Sequence, residues 1–235
     1  MLTNDRIRTG IPVTELDRTT RRYRGKLRML ALMIPTALAV MAAPAWAAAG
    51  HSARPVRTIP PPAPPSVVGT STLVRSDQGM SVTLHTTGLT PGDVVTLWWV
   101  VFNNPAACEH PFAGSACGPD DARNAAPDGP RPSLLHAGGR IGEEDGTAAY
   151  GAHLGVGDTS WALFGPGLLD ARGAHVVLVL KTHGPKIPEL VSEMLYTFAG
   201  GCQNQDDVPP GAPQSLVGTP GPNSCAEVQV SVHSP

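Results

Sequence analysis

Six histidines, His85, His136, His153, His175, His183 and His233, fall on or beside segments that read as β-strands. Neutral imidazole ligates copper and zinc, so three such side chains on converging strands would make a metal centre. Alternation sets His85 and His153 opposite their apolar neighbours, while His175 and His183 share one face of one strand. A copper or zinc site would be built first from His85, His136 and His183. The competing reading makes these imidazoles hydrogen-bond partners of backbone groups and water. No cofactor motif is present beyond this set.

Other chemistries have less to draw on. A glycosidase needs two carboxylates facing each other across a cleft. Glu143, Glu144 and Asp145, or Asp120 and Asp121, are the acids available, but adjacent acids in turns read as solvated. They do not follow the EF-hand spacing of a calcium loop. A serine hydrolase would show a nucleophile elbow, and no G-x-S-x-G occurs; Asp158-Thr159-Ser160 is only a serine near an aspartate. Trp98, Trp99 and Trp161 would suit a sugar-stacking platform. Trp98 and Trp99 must point to opposite faces of a strand, so at most one can line the same surface.

The compartment is read from the N-terminus. Arg21, Arg22, Arg24, Lys26 and Arg28 precede an apolar run over 29–45, then Ala45-Trp46-Ala47. A basic region, an apolar region and an A-x-A site make a secretory signal, with cleavage after Ala47 or, alternatively, Ala49. A retained anchor is the other reading of 29–49, and Pro35 and Pro44 count against it. Eight of the 17 basic residues but only three of the 19 acidic ones lie in 1–47. The mature chain therefore carries nine against 16, a net charge of −7. Such a surface disfavours nucleic acid and anionic membranes.

Behind the signal, 48–65 reads as a stiff proline-rich linker, and 66–235 as one folded domain. The strongest strand signal in that domain is Thr96-Leu97-Trp98-Trp99-Val100-Val101-Phe102, β-branched and aromatic, stopped by Asn103-Asn104-Pro105. It reads as buried on both faces. Met80, Val82 and Leu84 alternate with Ser81, Thr83 and His85, the mark of a strand with one wet face. The intervening Gly88-Leu89-Thr90-Pro91-Gly92 predicts an antiparallel pair between these two. Further strands are expected at 67–75, 133–141, 147–154 (after an Asp145-Gly146 turn), 174–182, 195–198 and 228–233. No long amphipathic helix is evident. Roughly eight short strands between Gly/Pro turns predict an all-β, antiparallel sandwich or barrel. Cys108, Cys117, Cys202 and Cys225 all follow the signal, where disulfides persist. Each consecutive couple brackets one Gly/Pro-rich loop, which favours Cys108–Cys117 and Cys202–Cys225, each worth roughly 3 kcal/mol on chain-entropy grounds. The cysteine spacings fit no zinc finger.

Two segments carry a resemblance. Met80-Ser-Val-Thr-Leu-His-Thr-Thr-Gly-Leu-Thr-Pro-Gly92 and Gly173-Ala-His-Val-Val-Leu-Val-Leu-Lys-Thr-His183 resemble the CHRD domain, a secreted β-fold. Family members usually carry a His-x-His stretch in the strand after that turn, where this chain has Trp98-Trp99. The Asn103-Asn104-Pro105 and Phe164-Gly-Pro-Gly167 segments are similar to uncharacterised bacterial secreted proteins. The resemblance implies a fold class and an extracellular role, and no reaction.

These readings together lead to an exported, non-enzymatic binding or structural module, expected to be monomeric, with an extracellular ligand or protein as its partner. A histidine-based metal protein or oxidoreductase is the first alternative. A hydrolase using loop carboxylates is the second.

Overall fold

In this computed structural model residues 50–59, 64–124 and 126–235 are described. The export-signal reading over 1–47 lies outside the described residues. The strands in chain order are β1 (Gly50–Thr58), β2 (Val67–Ser76), β3 (Gly79–Thr86), β4 (Asp93–Phe102), β5 (Pro132–Ile141), β6 (Ala148–Gly155), β7 (Ala162–Phe164), β8 (His175–Pro185) and β9 (Ala226–His233). Among the described residues three short α-helices interrupt them, α1 (Pro119–Arg123), α2 (Val191–Met194) and α3 (Gln214–Val217), besides one 3-10 turn at Pro105–Ala107. The nine strands of the described residues form one sheet in the order β6-β3-β2-β1-β9-β8-β4-β5-β7, with neighbouring strands antiparallel. The sheet curls into a half-barrel, and its inner face holds the main core.

β4 lies between β8 and β5 and is covered on both sides, as its composition dictates. Val95, Leu97, Trp99 and Val101 point into the half-barrel with Leu178, Leu180 and Leu135. Trp98 and Phe102 point outward into two smaller clusters, each roofed by a disulfide loop. Burying an aliphatic side chain of this kind stabilises by roughly 2 kcal/mol. Both expected bridges are present, Cys108–Cys117 and Cys202–Cys225. The first loop is also held by Asp121, whose carboxylate accepts from the backbone N–H of Glu109, His110 and Gly118 at 2.9–3.1 Å. Burial alone would raise this carboxyl; the three donors outweigh it and hold it below the ordinary aspartate range. Asp121 is therefore not the solvated turn residue expected from sequence. Its neighbour Asp120 is exposed and paired with Arg123.

Three expectations are corrected. Residues 50–58, read as part of a linker, form β1 and pair with β2 from Gly50↔Arg75 onward. Proline is tolerated there because of where its missing N–H points. Ile59 N donates to Val228 O, so residues of that parity, Arg57 and Pro55, turn their backbone toward β9. Pro55 has no donor to offer, and the β1–β9 ladder ends after Arg57↔Val230 and Thr58↔Gln229. Second, β3 and β4 are not a hairpin. β3 pairs with β2 and β6, while β4 pairs with β5 and β8. The connecting turn bonds to the β5–β6 turn instead, through Leu89 N to Gly146 O and Gly92 N to Gly142 O. Third, 195–198 is not a strand but a turn following α2.

β9 shows why period-2 alternation does not fix which face is inside. Its polar set points inward: Gln229, Ser231 and His233 are all buried, opposite Leu180, Leu178 and Val176 of β8. Val230 faces outward against Val177, Val179, Phe102 and Cys117 under the first disulfide loop. The inward polar groups find partners across the seam that the β1–β9 ladder leaves open. Ser71 Oγ lies 2.6 Å from Ser231 Oγ and 2.8 Å from His233 Nε2, and Ser52 Oγ lies 2.8 Å from His233 Nδ1. Thr86 Oγ1 donates to Gln229 Oε1. Arg75 donates to the carbonyls of Ala171, Ala174, His233 and Ser234. Buried polar groups are tolerated only when so satisfied.

Candidate binding surface

The histidines named for metal binding do not converge. His85 is exposed on the outer face of β3, in an open groove of about 450 Å³ lined also by Thr70, Thr87, Glu143, Thr147 and Ala149. His136 and His183 sit on opposite sides of the Trp98 neighbourhood, on β5 and β8. Among the described residues, the His/Cys/Asp/Glu groups with donor atoms within 4.8 Å of one another do not include these three together. His153 is exposed and bonds Ser81, and His175 bonds Ser115 Oγ at 2.6 Å inside the first loop.

His183 has a defined tautomer. Its Nδ1–H donates to Gly200 O at 2.9 Å. Its Nε2 then accepts from the Thr96 hydroxyl at 3.0 Å, and Thr96 Oγ1 accepts the indole N–H of Trp98 at 2.8 Å. Burial pushes this imidazole down to about 4, so it is neutral at physiological pH. His233 is likewise pushed down to about 4, first by burial and then by the charges of Arg75 and Arg54. The hydroxyl–imidazole contacts at Ser71–His233 and Ser115–His175 have the distance of a nucleophile–base pair, but all four residues are buried. A substrate has no approach to them. The loop carboxylates fare no better as an acid pair: Glu143, Glu144 and Asp145 are exposed, and Asp121 is consumed by backbone donors.

The aromatics assemble differently. A file of rings runs from the core outward: Phe198 to Trp98 at 5.3 Å between centroids, Trp98 to His136 at 5.3 Å, His136 to Trp161 at 6.0 Å, and Trp161 to Tyr196 at 6.2 Å. The contacts are edge-to-face or tilted, the arrangement ring quadrupoles favour. Lys181 Nζ caps the inner end, 3.9 Å from the Phe198 centroid. The outer end is open: Trp161 is 49 % exposed and Tyr196 37 %. Trp98 and Trp99, the other two tryptophans considered for stacking, are both buried. His136 anchors the file. Its Nε2–H donates to Leu195 O at 3.0 Å, which fixes the turn that carries Tyr196, and its own backbone N–H donates to Trp161 O. The close approach of that turn requires a glycine at 139, where a Cβ would stand 2.0 Å from Leu195 O. Trp161 was visible in the sequence as a stacking candidate. Tyr196 was not, because it reaches Trp161 only through the fold of the segment between β8 and the second disulfide.

The result is a two-ring ledge, its rings set at 66° to one another and backed by buried rings and by the Cys202–Cys225 loop. A ledge of this kind offers flat apolar faces to a ligand without the cost of ordering mobile side chains. Neither a protein-family model nor a curated protein matches this chain.

Proposed function

We propose that this chain is an exported, non-enzymatic β-module that binds outside the cytoplasm through the Trp161–Tyr196 ledge, and that its ligand is a glycan. The observation that carries the reading is the pair of exposed rings at the end of a packed aromatic file. Sugar rings stack their C–H faces on such side chains, and Trp and Tyr supply that area at low entropic cost. Both disulfides fit an oxidising compartment. Among the described residues no helix is long and apolar enough to cross a membrane. The acidic mature charge keeps polyanions away, so neutral polymers are the natural class.

The test is depletion binding of the mature protein to insoluble peptidoglycan, chitin and cellulose. Retention on at least one is expected, with Trp161→Ala weakening it at least tenfold, equivalent to about 1.4 kcal/mol, in a chain that remains folded by circular dichroism. Equal retention of wild type and variant would remove the ledge from the reading. No retention on any of the three would remove the glycan.

A further inference from the structure

The second disulfide stands against the imidazole of His183. Cys202 Sγ lies 3.7 Å from His183 Nδ1, and the donor atoms of Cys202, Cys225 and His183 all fall within 4.8 Å of one another. All three residues are buried. We infer that, when the Cys202–Cys225 bridge is reduced, these residues form a zinc site, so that disulfide and bound metal are alternative states of one locus.

Distance supports this first. A tetrahedral zinc ion with thiolate at about 2.3 Å and imidazole nitrogen at about 2.0 Å sets those donors roughly 3.5 Å apart. The Cys202–His183 separation of 3.7 Å is close to that, and on reduction the two sulfurs would part from bonding distance to roughly 3.8 Å to share the ion. Two thiolates and one imidazole are the soft donor set zinc prefers, and they neutralise its charge in a buried setting.

The backbone supports it independently. The two cysteine-bearing segments are pinned to each other without the sulfur–sulfur bond. Gly201 N donates to Thr219 O, Gln203 N to Asn223 O, Asn223 N to Gly201 O and Gly221 N to Cys202 O, at 2.8–3.1 Å. Asn223 Nδ2 donates to His183 O at 2.7 Å and so ties the pair to β8. The 5.5 Å Cα–Cα separation of the cysteines is therefore held by more than the bridge.

The imidazole can change tautomer in place. Metal at Nδ1 requires the ring proton to sit on Nε2. Thr96 Oγ1 would then accept from Nε2–H and turn its own proton to Lys181 O, 3.5 Å away, while still accepting from Trp98. The remote nitrogen of the ligand is thus oriented in both states, as metal-binding histidines require. Gly200 O, beside both Nδ1 and Cys202 Sγ, loses the Nδ1–H donor and becomes available on the metal's side. The first disulfide differs: its neighbouring donor is the carboxylate of Asp121, already held by three backbone N–H groups, and among the described residues no imidazole completes that group.

The chemistry balances with a dithiol as reductant. Two electrons and two protons pass to the bridge, giving two thiols, and the dithiol becomes a disulfide. Zinc then displaces both thiol protons.

The full mature chain, reduced anaerobically with a phosphine and titrated with zinc against a chromophoric chelator, tests the inference. A zinc equivalent that depends on His183 is expected: His183→Ala should weaken it at least 30-fold, and Cys202→Ser/Cys225→Ser should abolish it. Cobalt substitution should give the absorption of a tetrahedral thiolate site in the wild type. Zinc held as tightly by His183→Ala as by wild type would overturn the inference, since the metal would then sit on cysteines of an opened chain. No zinc binding by the reduced wild type would overturn it too.

Discussion

Between pH 6.5 and pH 4 the domain is expected to lose stability on the order of 5 kcal/mol. His183 and His233 are fully buried, and burial pushes each down to about 4. An unfolded histidine titrates near 6.5. Above that value neither state is protonated and the two groups contribute no pH dependence. As the pH falls below it, the unfolded chain takes up protons that the folded chain refuses, and stability drops by about 1.4 kcal/mol per unit for each histidine. Over roughly 2.5 units, with both ends of the window half-titrated, this is about 2.5 kcal/mol per residue, and it levels off once the folded groups protonate near pH 4. His136 and His175, also pushed down by burial, add in the same direction. Asp121 acts lower: its depressed carboxyl stabilises the fold above the ordinary aspartate value and is lost only as pH falls through its folded value. Denaturant midpoints at pH 7, 6, 5 and 4 measure the slope, and a His183→Gln/His233→Asn chain should flatten it. A wild-type midpoint constant from pH 7 to pH 4.5 would show that these imidazoles are not neutral, buried groups.

Trp99→Ala is expected to cost about 3–5 kcal/mol. Trp99 is 1 % exposed and points from the middle of β4 into the half-barrel, among Leu178, Leu135 and Val101. Truncation leaves a cavity that strands on both flanks cannot close, because their registers are fixed by ladders along the length of β4. Trp161→Ala, at the half-exposed end of the ring file, should lower the melting temperature far less than Trp99→Ala does. Thermal unfolding of the two variants side by side separates a core tryptophan from a surface one. Equal melting temperatures would contradict the assignment of Trp99 to the core.

Much of this architecture was legible because it is local. The two-sided apolarity of β4, the alternation of β3 and both cysteine couples follow from neighbouring residues alone. What was not legible is which strands meet. Gly88–Gly92 reads as a hairpin turn, yet its backbone bonds go to the β5–β6 turn, and β3 and β4 part to different halves of the sheet. Asp145-Gly146 does make its turn, but β6 then pairs with β3 rather than β5. Residues 50–58 look unfit for a sheet because of Arg54-Pro55, and nothing local reveals that Pro55 faces a seam where no donor is needed. The candidate site divides the same way. Trp161 announces itself by type, whereas Tyr196 joins it through a turn fixed by His136, 59 residues from the carbonyl it binds.

The seam between β1 and β9 also has a meaning in time. It joins the first described strand to the last, so Arg57 and Val230 must wait for nearly the whole chain before they can pair. β2 and β3 share a tight turn and can zip as soon as they exist. Closing a seam of such sequence separation is slow, because the entropy of the intervening loop is lost before any contact repays it. The half-barrel should therefore assemble as two leaves, β6-β3-β2-β1 and β9-β8-β4-β5-β7, that join last along an edge held mostly by side chains. Pulsed hydrogen exchange during refolding should protect β2–β3 amides first and those bridging β1 and β9 last; simultaneous protection would mean that the two leaves are one folding unit.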